Sequence, residues 1–305
     1  MGKSDDSTAR HRDAPAPEPR QPEGASSLVE VDLAGLSHKG RVRPNNEDHY
    51  FIARFDRSMR TVATNLSASD VPPRSLETAY GLLVADGIGG HAAGEVASRT
   101  AIAELVALAL ETPDWIMRLD EPLAAQVLKR MEGRFQKVHD VLVERAKADP
   151  TLRGMGTTLT LACSVGADFL TAHVGDSRAY LFHEGALQRL TRDQTLAQSL
   201  ADAGEIRQDE VAEHPTRHIL TGAIATRGAF VQVELRHHRL ADGDQLLLCT
   251  DGLTEMVSED VIARTLSAAK SSADACRRLV DLALEAGGKD NVTVAVGRYR
   301  IPTSA

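Results

Sequence analysis

Five acidic motifs are spread from one end of the chain to the other: Asn46-Glu47-Asp48, Asp86-Gly87-Ile88-Gly89-Gly90-His91, Gly175-Asp176-Ser177-Arg178, Asp251-Gly252 and Lys289-Asp290-Asn291. Most stand at the end of an apolar, strand-like run. Strand ends that are distant in sequence can meet in space. Carboxylates gathered at one point repel each other unless cations neutralise them. An all-oxygen donor set suits hard ions such as Mg²⁺ and Mn²⁺. The motifs therefore point to a site for two or more divalent metals.

Each motif also has a plainer reading. Leu82-Leu83-Val84-Ala85-Asp86-Gly87 is a buried strand ended by an acid and a glycine. Gly87 lets the backbone approach a ligand closely, so its carbonyl could serve as one, yet the run also reads as a glycine turn capped by Asp86. Leu246-Leu247-Leu248-Cys249-Thr250-Asp251-Gly252 repeats the design, which makes coincidence less attractive. Lys289-Asp290-Asn291 reads alone as a polar turn after Gly287-Gly288. Arg43-Pro44-Asn45-Asn46-Glu47-Asp48 sets a cation beside two acids. That is either a surface ion pair, worth little, or, beside a dimetal site, a planar fork matched to a phosphate oxyanion. Gly154-Met155-Gly156-Thr157-Thr158 and Gly175-Asp176-Ser177-Arg178 read alone as turns.

Hydrophobic period gives the secondary structure that carries these residues. Residues 31–36, 49–55, 60–65 and 80–85 read as strands, with a loop over 66–75 that holds Pro72-Pro73. Two long helical patterns cover 92–110 and 122–148. Strands are expected at 157–165, 169–174 and 179–183, the last turning back at Glu184-Gly185. Residues 194–203 and 208–213 look helical, 230–236 and 245–250 extended, 261–269 and 273–285 helical, and 292–299 extended. Strands come in runs and helices in pairs, unlike the strict alternation of a doubly wound parallel sheet. The expected fold is α+β, a central antiparallel β-sandwich flanked by helix pairs.

Composition narrows the function classes. A net charge of -8 argues against a nucleic-acid binder, which would show a basic face. The longest apolar stretch, 101–110, is interrupted by Glu104 and too short to span a bilayer, and no signal-peptide core precedes the fold. Cys163, Cys249 and Cys276 are an odd number on apolar segments, the pattern of buried free thiols in a reducing compartment. A cytoplasmic protein is expected. Residues 1–27 are polar and proline-bearing and read as a disordered tail; residues 28–301 read as one catalytic domain. There is no Gly-x4-Gly-Lys-Ser/Thr loop for an NTPase, and no cysteine sits in a Cys-x5-Arg loop.

Taken together and in this order, the motifs resemble the metal-dependent protein serine/threonine phosphatases, the type 2C or PPM family, in their bacterial form. The resemblance runs from about Leu33 to Arg298. It implies an α-β-β-α sandwich with two Mn²⁺ or Mg²⁺ ions in a cleft at one edge. By resemblance, Asp86 would bridge the ions and Gly87 would lend its carbonyl to one; Asp251 and Asp290 would hold the other. Glu47 and Asp48 would bind or orient metal waters, and Asp176 with Asp251 resembles the ligands of a third, weaker ion found in some members. Arg43 would grip the substrate phosphate, with Asp86 and Asp251 the other residues central to catalysis. Gly156-Thr157-Thr158 would be structural. The implied reaction is hydrolysis of phosphoserine and phosphothreonine in proteins, opposing a bacterial Ser/Thr kinase. Three departures stand out. Ile88 replaces a methionine common in bacterial members. His91 is a tempting proton donor, although a histidine there is more often a packing residue. Thr221-Gly222-Ala223-Ile224-Ala225 lacks the arginine and final glycine of the family's Thr-Arg-Ala-Leu-Gly, just after a flap-like region at 193–218. A binding module that has lost its chemistry would lack the metal acids, yet Asp86, Asp176, Asp251 and Asp290 are all present.

Overall fold

The computed structural model describes residues 28–67, 69–89, 93–111, 121–225 and 231–302, without the side chains of 121–125. The expectation for residues 1–27 lies outside the described residues. In chain order the strands are β1 (Glu30–His38), β2 (His49–Arg60), β3 (Arg74–Ala85), β4 (Gly87–Ile88), β5 (Gly156–Thr157), β6 (Leu159–Val165), β7 (Asp168–Val174), β8 (Arg178–His183), β9 (Ala186–Arg189), β10 (Ile224–Ala225), β11 (Glu234–Arg239), β12 (Gln245–Cys249) and β13 (Val292–Arg300). The helices are α1 (Ala93–Glu111), α2 (Glu121–Ala148), α3 (Leu196–Asp202), α4 (Asp251–Thr254), α5 (Glu259–Ala268) and α6 (Ser272–Glu285).

One sheet has the order β1-β13-β12-β8-β9 and the other β11-β7-β6-β3-β2, with a small β10-β5-β4 sheet beside them. Every strand pair is antiparallel. The strand period of two explains why the central strands are apolar on both faces. In β12, Leu246 and Leu248 join Leu82, Val84, Phe169 and Tyr299 in a cluster drawn from both sheets. Leu247 and Cys249 point the other way, into a cluster with Ile262, Leu266 and Leu279 of α5 and α6. Leu83 and Ala85 of β3 likewise face Ala97, Leu105, Phe135 and Leu142 of α1 and α2. Two sheets packed face to face with a helix pair on each outer side make the expected α-β-β-α sandwich. The cysteines are unpaired, and burial pushes the Cys163 thiol up to about 11 and those of Cys249 and Cys276 to about 12.

Several boundaries differ from expectation. Residues 61–65 are not a strand: β2 continues unbroken to Arg60, paired with Arg74, and the chain beyond is irregular. β3 pairs with β6 only between Ala79 and Val84, so among the described residues no third strand pairs with the outer hairpin, and Val62 just beyond it is 94% exposed. Arg74 and Ser75, expected in the loop, belong to β3. Residues 208–213 form a 3-10 turn, and 230–236 shifts to Glu234–Arg239 with Phe230 outside the described residues. The reversal at Glu184-Gly185 is a two-residue turn between paired His183 and Ala186, with φ of 46° and 87°. Positive φ at both positions is what a type I′ hairpin turn requires.

Candidate metal centre

Antiparallel pairing brings the acidic motifs to one end of the sandwich. His49 lies opposite Ala85, so Glu47-Asp48 before β2 meets Asp86 after β3. On the other sheet Cys249 lies opposite Val294, and Thr250 N–H donates to Thr293 O at 3.0 Å. Asp251 after β12 thereby comes beside Asp290 before β13. Asp176 sits where the chain crosses between sheets from β7 to β8. Thr250 Oγ1 donates to Asp48 Oδ2 at 2.8 Å, tying the two sheets together within the site.

The backbone around these acids is held by side chains. Asp86 N–H donates to Thr158 Oγ1 at 2.9 Å, while Asp86 O accepts from Thr158 N–H at 2.9 Å and Thr157 Oγ1 at 2.8 Å. Thr158 Oγ1 also bonds Ser177 Oγ at 2.8 Å. These bonds interrupt the expected strand 157–165 at Thr158, leaving β5 and β6. A Cβ on Gly87 would lie 2.2 Å from Gly94 O, and one on Gly94 would lie 2.7 Å from Glu47 Oε2. Two glycines thus let the first turn of α1 close on the site. Asn291 fastens the Arg43–Asp48 loop: its Oδ1 accepts from Glu47 N–H at 2.7 Å, and its Nδ2 donates to Lys39 O at 2.9 Å and Asn45 O at 2.8 Å.

The cluster is electrostatically incomplete as protein alone. Asp48 Oδ1 and Asp251 Oδ1 are sealed from solvent with no hydrogen-bond partner. Burial, then the fields of Asp48, Asp251, Asp176 and Asp290, hold the Asp86 carboxyl well above the usual carboxylate range. Burial, then Asp176, Glu255, Asp290 and Asp48, do the same to Asp251. Burial pushes Asp48 and Asp176 up to about 7 and also raises Glu47. Unpartnered carboxylate oxygens facing like charges fit a set of hard divalent cations and little else.

These shifts set a pH dependence. Folded-state pKa values above the unfolded one mean that the native chain binds more protons than the unfolded chain between the two. Without metal, the cluster's contribution to stability is therefore fully present below about pH 4 and is expected to be lost as pH rises through about 7, the value reached by Asp48 and Asp176. Mn²⁺ should reverse the trend, because bound cations favour the ionised form. Thermal melts from pH 5 to 8 of the wild type and Asp176→Asn, in EDTA and in Mn²⁺, check this; a metal-free gain from Asp176→Asn that does not grow with pH would contradict it.

Of the residues singled out from sequence, Glu47, Asp48, Asp86, Gly87, Asp176, Asp251 and Asp290 share this end of the sandwich. Arg43 joins them through an ion pair, Nη2 to Asp290 Oδ2 at 2.5 Å, with its side chain half exposed. His91 lies outside the described residues. The flap-like region leaves and rejoins the fold at one point, since Thr195 bridges Leu220. Between it and the acids is a cavity of about 350 Å³ bordered by Asp176, Asp251, Glu255, Arg217 and His218. The sequence named Asn291, Thr250 and Thr158 only as members of their motifs, with a structural role for Thr158 alone, and it did not single out Glu255. For Glu255 there was a signal: it stands four residues after Asp251, the spacing of one helix face.

A sequence profile described as Protein phosphatase 2C matches residues 72–285. A curated relative, the serine/threonine protein phosphatase PstP of Mycobacterium tuberculosis, is 36% identical over 264 residues, covering 86% of this chain and 44% of the relative. The chain thus spans less than half the length of that relative. A crystal structure of the M. tuberculosis serine/threonine phosphatase PstP/Ppp is 35% identical, with a TM-score of 0.70, covering 89% of this chain and 99% of that one. The catalytic domain of PstP in complex with two manganese ions is 32% identical, with a TM-score of 0.68, covering 89% and 99%.

Proposed function

This chain belongs to the protein phosphatase 2C family, and from that premise we propose that it hydrolyses phosphoserine and phosphothreonine esters of proteins with Mn²⁺ or Mg²⁺. The observation that carries this reading is the convergence of buried, mutually repelling carboxylates with unpartnered oxygens beside a half-exposed arginine. Asp86 and the Gly87 carbonyl, with Asp251 and Asp290, would hold two ions. Glu47 and Asp48 would hold or orient their waters, and Asp176 would contribute to a third. When bound, such ions acidify a water and neutralise phosphoryl oxygens.

The chain's own residues do the positioning. Arg43 presents a guanidinium edge to solvent while its other edge is fixed by Asp290, which suits it to orient a phosphate oxyanion. Asn291 and Thr250 fix the loop that carries Glu47 and Asp48. Ile88 carries no transferable proton, so the leaving alkoxide would take its proton from a water or from another side chain. Substrates would be phosphorylated proteins, and the reaction would oppose a bacterial Ser/Thr kinase in the cytoplasm, within a single catalytic domain over 28–301. No described helix is long and apolar enough to cross a membrane.

The test is hydrolysis of p-nitrophenyl phosphate and a phosphothreonine peptide in EDTA, Mg²⁺ and Mn²⁺. Mn²⁺-dependent turnover lost in EDTA supports the reading; a folded, metal-loaded protein without turnover on either substrate refutes it. Arg43→Ala is expected to raise KM for the peptide about tenfold while changing kcat less, the loss of roughly one charge-assisted phosphate contact. An unchanged KM would remove Arg43 from substrate binding.

A further inference from the structure

His218, Asp251 and Glu255 each offer one ligand atom, and these atoms lie within 4.8 Å of one another. Asp251 and Glu255 stand one turn apart, with Glu255 N–H donating to Asp251 O at 2.8 Å, so their carboxylates share a helix face. Like charges at that spacing repel; the pair does nothing for the helix. His218 arrives from the opposite wall, at the returning end of the flap-like excursion. Its Nδ1 lies 2.7 Å from Glu255 Oε1. That contact serves Glu255 but leaves Asp251 Oδ1, sealed from solvent, with no donor. The three residues border the cavity of about 350 Å³, which is roomy enough for an ion and its remaining waters.

An imidazole nitrogen added to two carboxylates shifts a site away from Mg²⁺ towards borderline ions such as Zn²⁺, Co²⁺ and Mn²⁺. We propose that His218, Asp251 and Glu255 hold a further divalent ion of this class, with the flap supplying its nitrogen ligand. The inference rests on the metal reading of Asp251 and extends it to two residues that no motif of the family resemblance contains. That resemblance places a third ion on Asp176 and Asp251 alone. A ligand from the flap makes the ion a clasp between the flap and α4, so that occupancy fixes the flap over the cleft.

The experiment is a Co²⁺ titration of the full chain by calorimetry, beside ¹¹³Cd NMR of the cadmium-loaded protein. The wild type should bind one ion more than His218→Ala. In Glu255→Gln that weakest step should be lost or weakened about tenfold or more. The cadmium spectrum of the wild type should contain a resonance set apart from the all-oxygen sites, and His218→Ala should lack it. The spectrum of the unmutated protein keeps the test independent of how the variants fold. Identical titrations, or only all-oxygen resonances, would overturn this site while leaving the tighter ions in place. A wild type that binds no ion would overturn the metal reading of Asp251 itself.

Discussion

Asp86→Asn is expected to abolish hydrolysis and, in EDTA, to raise the melting temperature. The two effects have one origin. The Asp86 carboxylate is buried amid the fields of Asp48, Asp251, Asp176 and Asp290, a placement that costs stability without a cation and gives the site its affinity for one. Asparagine keeps the volume, and the bonds to Thr157 and Thr158 run through the Asp86 backbone, so the fold is retained. Turnover should fall on the order of 10³-fold or more if Asp86 holds both ions as proposed. Relief of the repulsion should raise the metal-free melting temperature by about 2–4 °C for each kcal/mol recovered. Added Mn²⁺ should stabilise the wild type strongly and the variant little. Retained activity would remove Asp86 from the centre, and a lower metal-free melting temperature would show that the cluster is not repulsive.

Gly252→Ala is expected to destabilise the protein by roughly 3 kcal/mol or more. A Cβ there would lie 1.9 Å from Asn291 O and 2.9 Å from Asn291 C. That neighbour is backbone, directly before β13, and cannot swing aside. Asn291 also anchors the loop that carries Glu47, so the displacement reaches the acids proposed to hold metal, and Mn²⁺ affinity should fall as well. Gly133→Ala is the control. Gly133 lies within α2 with nothing within 4 Å of an added Cβ, so it should gain about 0.5–1 kcal/mol from helix propensity. Urea denaturation of both variants measures the contrast. Equal effects of one sign would mean that the Gly252–Asn291 approach is not constrained.

The sandwich was legible because its central strands are long apolar runs with abrupt polar ends, and those ends carry the acids. Leu82–Gly87 and Leu246–Gly252 each announce a buried strand together with the acid and glycine that end it. The outer part of the first hairpin was not legible. Whether 60–65 pairs depends on a partner strand distant in sequence, and alternation alone does not supply one. Thr158 was equally opaque: a run of threonines and leucines fits one strand until the Asp86 backbone claims its hydrogen bonds. Asn291 looked like turn filler because its bonds to Lys39, Asn45 and Glu47 cross 244–252 residues. Ligand types can be read from sequence, but the polar groups that aim them depend on contacts that only the fold creates.

The pairing of β1 with β13, from Glu30 opposite Arg300 to His38 opposite Val292, has a consequence for biosynthesis. The Arg43–Asp48 loop comes directly after β1, and Asp290-Asn291 directly precedes β13. A growing polypeptide can assemble the β2-β3-β6-β7 meander as it emerges, but β1 has no partner until nearly the whole domain has been translated. Such long-range closure is slow and leaves an edge exposed meanwhile. β1 is thus held in waiting, and the acidic cluster proposed to bind metal stays incomplete until β13 arrives. On the proposed reading hydrolysis would wait for β13, and ions bound there would seal the seam between β1 and β13.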